Sequence, residues 1–160
     1  MSSDILRSHL PETTMVARML LAIVLGAAIG FERELRSRPA GLRTHILVSM
    51  AAASFTLITI EIFYEMGNRG GTQVSPADPA RIVDAVTAGV AFIAAGAIIK
   101  SQGDVKGVTT GAAIWLAGAI GVACGIGYYL LAALATGLAV LVLQGIGLLE
   151  RWWLGKETDT

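Results

Sequence analysis

The residues best equipped for chemistry sit together between Gly30 and His45, in GFERELRSRPAGLRTH. This stretch holds Arg33, Arg36, Arg38 and Arg43, four of the 12 basic residues, with Glu32, Glu34 and His45 among them. It separates two long apolar runs. Those runs can dissolve in lipid and this stretch cannot, so it must lie at a membrane surface or face protein and water inside a helical bundle. A glutamate paired with an arginine there lowers the cost of charge at the edge of hydrocarbon, and ionisable groups in such places are functional candidates by default. The candidate cluster is Glu32, Arg33, Arg43, Thr44 and His45, with Thr109 and Thr110 as further members. His45 is the only histidine within an apolar segment. An imidazole titrates near neutrality, which suits a proton sensor, but a hydrogen-bonded structural histidine explains it equally well. Arg36 and Arg38 read as topological signals at a helix end.

A second charged group comprises Glu61, Asp78, Arg81 and Asp84. Arg81 and Asp84 are three apart and share a helix face, where they can pair. Asp78 followed by Pro79 has the form of a helix entry, a cap and then a first-position proline. Oxygens from Glu61 and Asp84 would suit a hard cation such as magnesium, but two carboxylates do not define a metal site and none is assigned. No cofactor is implied. No nucleophile is spaced with a base and an acid, and no phosphate loop follows a strand, so an enzyme is not expected. The formal net charge of +0 gives no case for nucleic-acid binding.

Positioning these groups falls to helices in a membrane. The chain is 54% hydrophobic and 15% charged, against about 25% charged in a soluble domain. Its apolar runs are long enough for bilayer crossing. The expected architecture is an all-α integral membrane protein with five transmembrane helices, over about 15–31, 42–63, 81–99, 108–124 and 128–150. A polar segment, 1–14, precedes this domain of 15–150, and 151–160 forms a tail. The run Met15 to Phe31 is long for a signal-peptide core of about 7–15 residues, so a retained helix is expected. Pro39 breaks the first helix from the second. Residues 65–80 form the longest loop, 100–106 a short polar link, and Gly125-Ile126-Gly127 a tight turn. Arg18 is placed to snorkel to the headgroups, and Arg151-Trp152-Trp153 to anchor at the interface. The single cysteine, Cys124, reads as a small buried residue.

Small residues mark the packing faces. Ala22, Gly26 and Gly30 recur every four residues, Ala85, Gly89 and Gly96 share a face, and Gly111, Gly118 and Gly125 are seven apart; such seams let helices approach closely. Gln144 lies seven residues after Gly137 on one face, where an amide in lipid needs a partner. An offset of 66 residues aligns Gly30, Gly41 and Thr44 with Gly96, Gly107 and Thr110, a faint parallel repeat of helices 1–2 and 3–4. Transporters use such repeats, with sites at the repeat interface. Five spans place Arg33, Arg36, Arg38, Arg43, Lys100, Lys106, Arg151 and Lys156 on one side, and Arg7, Arg18, Arg69 and Arg81 on the other. The positive-inside rule makes the richer side cytoplasmic, with the N-terminus outside and the C-terminus inside.

The runs Gly30-Phe31-Glu32-Arg33 and Ala40-Gly41-Leu42-Arg43-Thr44-His45 resemble the signature of the MgtC/SapB family of bacterial inner-membrane proteins. Asp78-Pro79 with Arg81, Phe92 with Ala95-Gly96-Ala97-Ile98-Ile99, and Val105-Lys106-Gly107-Val108-Thr109-Thr110 with Trp115 and Ala119-Ile120-Gly121 extend the likeness over about residues 15–150. Gly89 to Gly96 departs from the family pattern by alanines in place of two glycines. Longer members carry a soluble cytoplasmic domain after the fifth span, whereas this chain is similar to the short, SapB-like members. The resemblance implies a role in adaptation to low magnesium and, in pathogens, in virulence through survival inside host cells. It also implies restraint of the F-type ATP synthase by contact within the membrane. The first expectation is therefore a regulator that binds a membrane partner through its glycine seams, the expected partners being that synthase or a second copy in a homodimer. The rival is a transporter or channel with a polar path.

Overall fold

The computed structural model describes residues 8–68, 79–101 and 104–154. The elements are α1 (Glu12–Leu35), α2 (Leu42–Asn68), α3 (Pro79–Gly96), β1 (Ile99–Ser101), β2 (Asp104–Lys106), α4 (Val108–Ile126) and α5 (Tyr129–Leu154). Three of the helices are long and apolar enough to cross a membrane, over Glu12–Leu35, Leu42–Glu65 and Val108–Ile126; α3 and α5 contribute shorter apolar stretches, Val83–Gly96 and Tyr129–Gly145. The protein is an all-α integral membrane protein of five helices.

Local chemistry sets the helix ends. α1 starts three residues before the expected Met15, because the Pro11 carbonyl accepts from Thr14 N–H at 2.9 Å and Met15 N–H at 3.2 Å. Its far end closes in a Schellman turn, with Ser37 N–H on Glu34 O and Arg38 N–H on Arg33 O, both at 3.0 Å. Ser37 takes the left-handed conformation this turn needs, at φ 52. The Glu34 carboxylate then reaches across the link to the Leu42 N–H at 2.9 Å and opens α2. At the α4–α5 turn, Gly127 adopts φ 102 and its N–H serves Ala123 O and Cys124 O. α4 thus runs to Ile126, and the turn is shorter than the Gly-Ile-Gly link expected.

The expected polar link at 100–106 contains instead a two-stranded antiparallel ladder, with Ile99 opposite Lys106 and Lys100 opposite Val105. Strands of three residues are too short to show a period of two in sequence. The loop expected from residue 65 starts later, since α2 continues to Asn68.

α4 is the central helix, with 12 of its 19 residues buried. Two clusters of small and branched residues flank it. Ala22, Ile29, Ala53, Ile120, Cys124 and Ala132 join α1, α2, α4 and α5. Val48, Ala52, Val90, Ala94, Ile114 and Ala117 join α2, α3 and α4. In lipid no hydrophobic effect drives helices together, so close van der Waals packing between small residues has to do it. The glycines show where. A Cβ at Gly26 would stand 2.8 Å from His45 O, one at Gly30 2.7 Å from Leu42 Cα, one at Gly118 2.9 Å from Val90 Cγ2, and one at Gly125 2.6 Å from Thr56 Cβ. Gly111 lies against Ala94 and Ile98, and Gly121 against Ser49 and Ala52. These contacts run α1 antiparallel to α2, α3 antiparallel to α4, and α2 parallel to α4, so the two hairpins share one sense. Gly89 and Gly96 belong to no such seam, since nothing lies within 4 Å of a Cβ at either. Gly96 therefore differs from Gly30, its counterpart 66 residues earlier.

Candidate functional site

At the end of the bundle where α1 stops and α2 and α4 start, polar side chains turn inward. Glu32 and Arg33 are each 4% exposed, and His45 and Ser49 are 0% exposed. Thr110 is buried beside them, and the Arg33 guanidinium donates through Nη2 to its Oγ1. That bond ties α1 to the first turn of α4. His45 holds its own helix entry, with Nδ1 at 2.8 Å from Gly41 O, and lies within electrostatic reach of Arg33 and Glu32.

The glutamate–arginine contact expected in this stretch forms with Arg36, which reads in sequence only as a topological signal. Glu32 contacts Arg36, four residues on, with Oε1 at 2.6 Å from Nε. The N–H is not aligned for a hydrogen bond, so both Glu32 oxygens stay without one. Arg33 Nε, Arg38 Nε, His45 Nε2 and Ser49 Oγ are also buried without a hydrogen-bond partner. Thr44 is half-buried, while Arg43 and Thr109 are exposed and do not enter the junction.

Ser49, not picked out in sequence, and Arg38, read there only as a topological signal, both have buried polar atoms at this end. Ser49 follows His45 by four residues on one helix face, a spacing that was available. Its hydroxyl stands apart: those of Ser54, Thr56, Thr59 and Thr136 bond to the carbonyl four residues back, and that of Ser49 does not. Gly26 packs against the His45 carbonyl that it would use.

The opposite end is built differently. Glu61 receives His9 N–H at 2.7 Å and Leu10 N–H at 2.8 Å, so it caps the segment leading into α1 and does not join Arg81 or Asp84. Both of the latter are exposed, and among the described residues no ion pair links them. Asp78 lies outside the described residues. Arg18 does not snorkel away; it donates to Gly125 O at 2.7 Å and to Tyr129 Oη at 3.2 Å. α1 is therefore clasped to α4 by an arginine at each end, Arg18 on Gly125 and Arg33 on Thr110. Among the described residues no group of three or more His, Cys, Asp or Glu is placed to hold a metal ion.

Outward faces complete the picture. On α3, Ala85, Gly89, Phe92 and Gly96 are all exposed, and on α5 so are Gly137, Leu141 and Gln144. Among the described residues nothing lies within 4 Å of a Cβ at Gly137 or Gly145.

A five-helix membrane bundle with a buried cationic junction at one end is the class these features define. The profile of the MgtC family matches residues 19–152, and the chain belongs to that family. An uncharacterized protein of Haemophilus influenzae is 34% identical over 140 residues, 85% of this chain and 57% of that protein. The "Putative magnesium transporter YhiD" of Escherichia coli K12 is 37% identical over 129 residues, 81% of this chain and 59% of that protein. Protein MgtC of Salmonella typhimurium is 38% identical over 121 residues, 76% of this chain and 47% of that protein. The chain thus spans about half the length of the curated relatives it matches. No solved structure matches it.

Proposed function

We propose that this protein is a non-enzymatic regulator in the bacterial inner membrane that acts by helix contact with another membrane protein. The observation that carries this reading is the outward face of α5. Gln144 is exposed beside Gly137 and has no hydrogen bond to any described residue. An amide facing hydrocarbon needs a partner, and a neighbouring glycine lets a second helix come close enough to supply one. The outward face of α3, with Gly89 and Gly96, offers a similar approach.

One relative's name, that of the putative magnesium transporter of Escherichia coli, supports a tie to magnesium. The inward junction itself has the wrong chemistry for that ion, since magnesium takes oxygen ligands and keeps several waters, and here arginines outnumber carboxylates. The F-type ATP synthase, which the family resemblance implies as a partner, is the first candidate, and a second copy of the chain is the next. In this reading the N-terminus lies outside and the C-terminus in the cytoplasm, which the bias of arginine and lysine along the sequence supports. A periplasmic reporter active at Thr160 contradicts that placement.

Co-purification from native membranes tests the reading. Gly137→Leu and Gln144→Leu should each lower recovery of the synthase, or of a tagged second copy, about tenfold or more, the equivalent of about 1.4 kcal/mol, with the thermal midpoint unchanged. Undiminished recovery removes the case. A transport reading has its own support in the unpartnered polar atoms of Glu32, Arg33, His45 and Ser49. Saturable magnesium or proton flux in liposomes, abolished in Glu32→Gln, would establish it instead.

A further inference from the structure

The two arginine clasps between α1 and α4 are electrostatically unequal. Arg18 donates to Gly125 O at the C-terminal end of α4, where the helix dipole favours a cation. Arg33 donates to Thr110 in the first turn of the same helix, where the dipole favours an anion and opposes a cation. That turn has Gly107 as its cap residue and no side-chain cap hydrogen bond, so its leading N–H groups have no side-chain acceptor. Arg33 is 4% exposed and its Nε has no partner. Arg38, which folds back through its N–H to Arg33 O, also carries a buried, unpartnered Nε. Of the local carboxylates, Glu34 accepts the Leu42 N–H, and Glu32 lies against Arg36 as an ion pair without a hydrogen bond. The junction holds three guanidinium groups, Arg33, Arg36 and Arg38, and an uncapped helix N-terminus, against two carboxylates.

We propose that this junction binds a phosphate-type oxyanion, held by Arg33 and Arg38 at the N-terminus of α4. Guanidinium forks match phosphate geometry, and a helix N-terminus supplies oriented N–H donors to the same group. The site lies at the helix ends, where Arg36 and Arg38 are only half-buried, the side from which a phospholipid headgroup or a dissolved phosphate would approach. The inference stands apart from the partner-contact reading and survives its failure.

The test is the thermal midpoint of the purified full chain in maltoside micelles. One arm titrates inorganic phosphate against chloride at matched ionic strength. The other adds phosphatidylglycerol against uncharged diacylglycerol. The expected result is a saturable rise of roughly 5–10 °C at a hundredfold excess over the dissociation constant. It should disappear in Arg33→Gln and in Arg38→Gln and persist in Arg43→Gln, whose side chain is exposed. A rise with inorganic phosphate identifies a soluble ligand, and a rise with phosphatidylglycerol alone identifies a headgroup. If Arg33→Gln does not fold, Arg38→Gln decides. No rise in either arm, an equal rise with chloride, a rise kept in Arg38→Gln, or one lost equally in Arg43→Gln overturns the proposal.

Discussion

Whether a glycine in this chain is structural depends on what its missing side chain would strike. A Cβ at Gly26 would meet the His45 carbonyl at 2.8 Å and Ser49 Cβ at 2.9 Å, while one at Gly89 would meet nothing within 4 Å. Backbone cannot step aside as a side-chain tip can, so Gly26→Val should destabilise the folded protein by about 1–3 kcal/mol. Gly89→Val should stay within about 0.5 kcal/mol of the parent. Unfolding in graded SDS–maltoside mixtures reads both, and equal losses would refute the division into inner and outer glycines. The spacing of small residues in the sequence points to seams but not to which seams are filled. The same holds for charge. Arg33, Arg38 and Arg43 look alike in a run of polar residues, yet each step along a helix turns a side chain by about 100°. Only the packing of α1 on α2 and α4 decides that Arg33 and the Arg38 Nε turn in while Arg43 turns out.

Among the elements, α1, α2 and α4 form the firm part of the bundle. The α1–α4 pair is the clearest case, clasped at Arg18–Gly125 and Arg33–Thr110. Each clasp residue is fifteen positions from the next on its own helix, about 22 Å of rise, within a hydrocarbon core of about 30 Å. Arg18→Met keeps the apolar stem and removes a charge-assisted hydrogen bond. It should cost about 1.5–3 kcal/mol, read by the same unfolding assay. An arginine that merely reached for headgroups would give a change near zero. The helices themselves were legible from apolar runs broken by Pro39 and by the glycine turn at Gly127. Long-range clasps were not, because nothing in the local pattern at Arg18 indicates a carbonyl 107 residues away. The Glu61 cap on the segment before α1 escaped for the same reason. The short β1–β2 ladder was hidden by its length.

At the scale of the whole molecule, the bundle separates two kinds of surface. Its inner seams are filled by its own backbone and side chains, and its outer faces on α3 and α5 keep exposed glycines and an amide. The five-helix membrane class was readable from composition and the family from motifs spread along the chain. The separation of surfaces was not, since it exists only once α4 has taken its place between its neighbours. It points partner binding away from Gly111 and Gly118, which the seams of α4 use, and toward Gly137 and Gln144. The most direct measurement places a photo-activated cross-linking residue at position 137, 144 or the buried 114 in native membranes and identifies each product by mass spectrometry. Positions 137 and 144 should cross-link to one defined protein, the F-type ATP synthase or a second copy of this chain, and position 114 only within its own chain. Cross-links from 137 and 144 to lipid alone would contradict the account.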